Sequence, residues 1–358
     1  MSEPNLRYSD VEDGLRASVR DLLADRADAA TVLAHAESAE HDPGLWRALA
    51  ELGATSLHVP EELGGQGAGY RETAVVAEEL GASVAPVPFL GSAVLATAAL
   101  LHVSQDDDAR AALARLGSGE ITATLVVPLS TWDSTPSVQL VDGGLVGTVR
   151  SVADARAADL LVVPAGGALH LVQASAATVT PVVSLDVTRP VADVEFTGST
   201  SVALVGSAED AVRAALLAGA GILASEQVGI AQWCLDTTVA YLKQRYQFGR
   251  PVGSFQALKH RLADVWQQLV LARAAARNAA DALATGNDVE VAVSVAQSLC
   301  AAVAVHAAHE CVQLHGGIGM TWEHPAHLYL KRAKADEIAL GTPGRHRASL
   351  AHLVDLPG

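Results

Sequence analysis

Positive charge is scarce in this 358-residue sequence, where 24 Lys and Arg stand against 40 Asp and Glu for a formal charge of -16. A surface that tracks phosphates needs a concentrated basic stripe, and none is visible, so nucleic acid is excluded as a partner. Aromatic residues make up only 4% although half the chain is apolar. The core must then be built from close-packed small side chains, Ala and Val above all, as helix bundles often are. Cysteine is limited to Cys234, Cys300 and Cys311, with no C-x-x-C spacing, which fits a reducing cytoplasm. No basic, then apolar, then small-residue leader opens the chain, the apolar run 214–222 is too short to cross a bilayer, and polar residues interrupt the later Ala-rich segments. The expectation is a cytoplasmic protein with no membrane partner. A P-loop, a strand-borne G-x-G-x-x-G and a nucleophile elbow are all missing, which removes support for kinase and hydrolase chemistry. Repeats and low-complexity tracts are absent too.

What is present falls into three stretches. Over residues 1–118, Leu15, Val19, Leu22 and Leu23 recur at helical spacing, as do Leu45, Leu49 and Leu52 after the Asp42-Pro43 start signal. The segment from His58 to Gly67 combines Pro60 with Gly64, Gly65 and Gly67 and reads as a tight loop before a helix near Tyr70, either lining a ligand or simply turning the chain. Over residues 119–206 the period changes to short Val- and Thr-rich runs separated by turn signals such as Asp142-Gly143-Gly144 and Gly166-Gly167. These runs, 121–127, 137–141, 145–152, 160–163, 169–172 and 191–196, predict a small β domain. From 207 to 358, beginning with Ala208-Glu209-Asp210, helical spacing returns. The fold class is mainly α with a small β domain.

Two glycine-bearing segments near the C-terminal end carry chemistry. The first is Arg245-Tyr246-Gln247-Phe248-Gly249-Arg250-Pro251 with Phe255-Gln256, at the end of a helix read as starting near Glu226. An arginine fork matches a diphosphate, a following glycine lets backbone approach a ligand, and Gln256 at a helix start can donate beside it. The second is Gln313-Leu314-His315-Gly316-Gly317-Ile318-Gly319, where three glycines break an Ala-rich helix at a cost in propensity. A helix cap followed by a turn would explain that segment alone. His306, His309, Glu310 and His315 invite a metal reading, but the spacing is not H-E-x-x-H, and packed or surface histidines account for them better.

Taken together and in this order, the two segments, with the loop at 59–65, resemble the acyl-CoA dehydrogenase family. That resemblance implies an N-terminal helical domain, a middle β-barrel domain and a C-terminal four-helix bundle, with FAD, an acyl-CoA substrate and αβ-desaturation. It implies FAD contacts for Arg245, Phe248, Gln256, Gln313, Gly316, Gly317, Gly319 and Thr342, and an electron-transfer flavoprotein as acceptor. The family's catalytic glutamate precedes Gly-Thr, whereas this chain reads Ile338-Ala339-Leu340-Gly341-Thr342. Leucine cannot take a proton, so no catalytic residue is assigned. The matching middle-domain stretches, 126–132 and 149–155, also lack the polar groups that the family places around the flavin ring.

In the family, the arginine and glycine segments serve the neighbour's FAD, while the middle domain and glutamate serve a subunit's own. The chain is therefore similar to the non-catalytic partner of heteromeric members, some of which act on steroid-derived acyl-CoA, and the expected assembly is α2β2 with a homologous catalytic subunit. Two rivals remain at this stage. One is a self-sufficient homo-oligomeric enzyme using Glu226, since the family's alternative upstream position falls near Gly219. The other is a flavin-free scaffold. Asp336 and Glu337, one helical turn before Leu340, are read as a solvated face.

Overall fold

The structure, a computed structural model, describes residues 4–132 and 137–355, so the outermost three residues of both expected terminal domains lie outside it. Helices α1 (Asp10–Arg26), α2 (Ala29–His35), α3 (Pro43–Glu51), α4 (Tyr70–Ser83), α5 (Thr97–His102) and α6 (Asp107–Gly117) come first. Strands β1 (Ala123–Leu125), β2 (Gln139–Val141), β3 (Gly144–Ala153), β4 (Leu160–Ala165), β5 (Ala168–Gln173), β6 (Thr178–Val182), β7 (Val191–Ser199) and β8 (Val202–Ala203) follow. After α7 (Ala208–Gln244) come the short strands β9 (Tyr246–Gln247) and β10 (Arg250–Pro251), then α8 (Gln256–Thr285), α9 (Val289–His315), α10 (Ala326–Ile338) and α11 (Pro343–Leu353). The expected order of helices, sheet and helices is the observed one.

Local chemistry sets the helix ends. Ser9 and Glu12 form a reciprocal capping box on α1, Asp42 caps α3 with Pro43 in its first turn, and Asp106 caps α6. At the other end, Gly286 closes α8 with φ +75.

Chain contacts divide the molecule into two compact units, one of residues 38–73 and 86–220, the other of 1–37, 74–85 and 221–358. In the first, β1-β4-β5-β8 and β2-β3-β7-β6 form two four-stranded sheets, with β1 parallel to β4 and the remaining pairs antiparallel. Leu145, Val149, Leu161, Val163, Val194 and Phe196 belong to the buried core of this unit. Strand β6 escaped the sequence pattern because it is mostly exposed, carries Pro181, and sits at a sheet edge where no alternation is imposed. The glycine loop also lies here. A methyl group on Gly65 would stand 2.1 Å from the Val59 carbonyl oxygen, and Gly64 adopts φ +86, so the loop's own folding accounts for both glycines.

In the second unit, the N-terminal helix packs with the C-terminal bundle through charge. Arg277 pairs with Glu12, and Arg16 reaches Glu78 at 2.9 Å and Glu79 at 2.6 Å. Helices α4 and α7 cross with their backbones in contact, since a methyl on Gly229 would lie 1.9 Å from Glu78 O and one on Gly81 2.1 Å from Glu226 O. Small residues make that approach possible. Helix α7 is continuous over 37 residues, which corrects the start inferred near Glu226: this residue lies mid-helix. Helix α7, and α9 with the turn after it, are long and apolar enough to cross a membrane, but 89% of the apolar window of α7 and 61% of the other are buried inside the protein.

Candidate cofactor-binding site

Arg245 is exposed just beyond α7, and its carbonyl accepts from Val252 N at 2.7 Å, closing the β9–β10 hairpin. A two-residue hairpin connection favours left-handed backbone at both positions, and Phe248 and Gly249 take φ +52 and +74. Glycine adopts this freely, whereas phenylalanine carries strain on the order of 1–2 kcal/mol. Phe248 is nonetheless 90% exposed, so neither burial nor backbone preference within the chain explains it. It meets Phe255 edge-on at 6.2 Å, and the Arg250 guanidinium lies 3.9 Å over the Phe255 ring. Gln256, exposed, opens α8 directly behind this knot. Among the described residues Arg245 has no carboxylate partner.

The second segment follows α9. Gln313 is exposed, Gly316 turns the chain with φ +64, and Gly316–Met320 forms a 3-10 turn. Gly319 is explained internally, since a methyl there would stand 2.5 Å from Val312 O. Gly317 is not. A methyl on it meets no atom within 4 Å, and its φ is not left-handed. This backbone is open to solvent, so a ligand can approach it, which is compatible with a nucleotide.

The third segment is the turn at Leu340. Helix α10 ends at Ile338, Leu340 takes φ +51 and Gly341 +93, and Thr342 caps α11 through Arg345 N. Ending the helix leaves carbonyls without helical partners. Side chains supply replacements: Gln227 Nε2 donates to Asp336 O at 3.3 Å, Gln297 Nε2 to Asp336 O and Ala339 O at 3.4 Å, and His346 Nε2 to Leu340 O at 2.9 Å. Burial pushes the His346 pKa down, in keeping with a neutral donor. Sequence reading missed this cage, because Gln227 and Gln297 sit in apolar helices with no periodic signal around them. Leu340 itself is fully buried.

The candidate substitutes for the missing base are engaged elsewhere. Glu226 is buried and its Oε1 lies 2.6 Å from Arg332 Nη1, itself buried. Glu337 pairs with Lys334 on the surface, in keeping with the solvated face read for it, whereas Asp336 is fully buried, which corrects that reading for Asp336. Tertiary packing against α7 and α9 overrides the local charge pattern there. Glu310 receives two bonds from Arg261, at 2.7 and 2.8 Å. In the other unit, the two stretches expected near a flavin ring bond to each other, Leu129 N to Ser151 O at 3.0 Å. Asp154 turns inward to Gly91 N at 2.8 Å and His41 Nε2 at 2.9 Å.

Arg245, Phe248 and Gln256 are thus brought together, Gln313, Gly316, Gly317 and Gly319 form a second group, and Thr342 caps a helix packed on α9. Residues 9–120 match the model of the acyl-CoA dehydrogenase N-terminal domain and residues 210–354 that of its C-terminal domain. The chain belongs to the acyl-CoA dehydrogenase family. It is 36% identical over 344 residues to acyl-CoA dehydrogenase IpdE2 of Mycolicibacterium smegmatis, covering 94% of this chain and 96% of that protein. Among solved structures it is similar to the ChsE4-ChsE5 complex from Mycobacterium tuberculosis, with a TM-score of 0.87, 26% identity, and coverage of 99% and 100%. It also matches the steroid ACAD Tcur3481-Tcur3483, solved as a G363A variant, at TM-score 0.85 and 27% identity, with coverage of 97% and 98%. Acyl-CoA dehydrogenases of this family bind FAD.

Proposed function

We propose that this chain is the base-lacking subunit of a heteromeric FAD-dependent acyl-CoA dehydrogenase, completing the FAD site of a homologous catalytic partner. The supporting observation is the division of labour among its residues. Arg245, Phe248, Gln256, Gln313 and Gly317 are exposed, while leucine stands at the family's glutamate position and Asp154 is turned inward. In this reading the Arg245 guanidinium holds the diphosphate by paired N–H donors, Gln256 and Gln313 donate beside it, and Gly316 and Gly317 let backbone approach the nucleotide. Phe248 excludes water from that contact, and Thr342 keeps the neighbouring helix start in place. FAD, when bound, would supply hydride acceptance, and removal of the proton would fall to a carboxylate outside this chain. Both complexes cited above pair two family chains, and one is named for a steroid, so a steroid-derived acyl-CoA is the proposed substrate class, with an electron-transfer flavoprotein as acceptor.

The self-sufficient alternative loses ground because Glu226 is held by Arg332, and the scaffold alternative because Arg245 is exposed with no carboxylate partner among the described residues. In the purified complex, Arg245→Ala should release FAD, while Leu340→Ala should leave turnover within about twofold of the parent. Loss of turnover in the Leu340 variant with FAD retained would contradict this function.

A further inference from the structure

Helix α8 turns an apolar stripe outward. Val265, Leu269 and Ala272 on it are buried, yet Trp266 is 60% exposed, Val270 46% and Leu271 56%. A large aromatic side chain beside two aliphatic ones, all open to water, is the kind of contiguous apolar surface that marks a contact site. The stripe begins in a groove of about 550 Å³ between the C-terminal half of α7 and the start of α8, lined by Leu235, Val239 and Leu242 from the first helix and Leu262, Ala263 and Trp266 from the second. Its charged residues are Asp236, Lys243 and Lys259. Asp236 accepts from Gln232 Nε2 at 2.8 Å, whereas neither lysine has an ion pair among the described residues. On a chain of formal charge -16, two unpaired ammonium groups beside an apolar floor form a local exception that suits a carboxylate-bearing occupant.

The extent of this surface and its charge select among occupants. From Lys259 to Leu271 it runs roughly 18 Å along α8, at 1.5 Å per residue, so a small molecule seated in the groove would leave Val270 and Leu271 in water. A second copy of this chain would bring one charge of -16 against another, which opposes encounter at long range. The groove is also continuous with the β9–β10 hairpin. Gly253, which follows β10, lines it and packs so closely on α7 that a methyl there would stand 3.0 Å from Leu242 O. That hairpin carries exposed Phe248, with Arg245 just before it, so a subunit that receives these two residues at its nucleotide also meets the groove beside them.

We propose, resting on the heteromeric reading above, that the α7–α8 groove and the stripe from Trp266 to Leu271 are the docking face for the homologous catalytic subunit, which seats there an apolar segment edged by carboxylates. Trp266 is the central anchor, losing its water on assembly, and Lys243 and Lys259 meet the carboxylates at the rim. None of these side chains takes part in the flavin chemistry.

Association of the full-length chain with the glutamate-bearing subunit is measured by sedimentation velocity at low and high salt. Trp266→Ala is expected to weaken association by roughly thirtyfold or more, the size of a central anchor's loss. The double variant Lys243→Glu with Lys259→Glu should weaken it chiefly at low salt, so that its salt dependence is flatter than the parent's. Each variant is read on protein whose helical circular dichroism matches the parent, and Leu271→Ser, exposed on the same stripe, tests the face independently. Parent-like association of both Trp266→Ala and Leu271→Ser would overturn the docking face while leaving the heteromer standing. Loss of self-association by the isolated Trp266→Ala chain, with the heteromer intact, would also overturn it and assign the face to a second copy. A parent chain that forms no complex with the glutamate-bearing subunit would overturn the functional reading itself.

Discussion

Glu226 and Arg332 are both nearly inaccessible, 5% and 3% exposed, and stand 2.6 Å apart. A buried pair of this kind contributes little relative to apolar packing, but removing one charge takes a close opposite charge away from a buried group. Glu226→Gln is therefore expected to lower unfolding free energy by about 3 to 5 kcal/mol in a denaturant titration. If Glu226 were a base instead, the variant would keep its stability and lose turnover. Phe248 gives the opposite case, a side chain held at structural cost. Phe248→Gly should remove strain of about 1 kcal/mol and leave the isolated chain at least as stable, while weakening FAD retention in the complex. A loss of more than 1 kcal/mol in the isolated chain would show that Phe248 is there for internal packing.

At the scale of elements, the segment between α3 and α4 offers a pH test. His58 stacks on Tyr70 at 4.6 Å, with Nδ1 3.2 Å from Thr73 Oγ1, and burial lowers its pKa from 6.5 to about 4. Above pH 6.5 the ring is neutral in both folded and unfolded chains and contributes no pH dependence. Below it, the unfolded chain binds a proton that the folded chain refuses until about pH 4, so stability falls across that window. His170 and His346 are also lowered, so the parent carries more than one such contribution. His58→Phe should reduce the slope of urea midpoint against pH between 6.5 and 4 without changing it above 7; equal slopes would exclude His58 as a contributor. Element boundaries with chemical punctuation were legible beforehand: Asp42-Pro43 before α3, the glycines after α9, and the Val- and Thr-rich strands of the sheets. Exposed β6 was not, because no face of it is forced inward. The side-chain cage over the Leu340 turn was hidden for the reverse reason, since polar residues inside apolar helices declare their partners only in three dimensions.

For the whole molecule, the order of helices, sheet and helices could be read from the change in hydrophobic period, but the compact units could not. Helix α1 joins the C-terminal bundle through pairs such as Arg277 and Glu12, 265 residues apart, a relation that no local pattern encodes. The candidate FAD-contact residues were legible only through motif resemblance, and most of them, Arg245, Phe248, Gln256 and Gln313 among them, are exposed. Asp336 was misjudged because charge spacing on a helix cannot show which face a neighbouring helix covers. What this chain gives to a flavin site and what it lacks for its own is tested directly by flavin content. FAD absorbance per chain is measured for the isolated protein and for its complex with the homologous glutamate-bearing subunit. Little flavin alone, and a stoichiometric, turnover-competent flavin only in the complex, is the expected result. One tightly held FAD per isolated chain, reduced on addition of acyl-CoA, would contradict it.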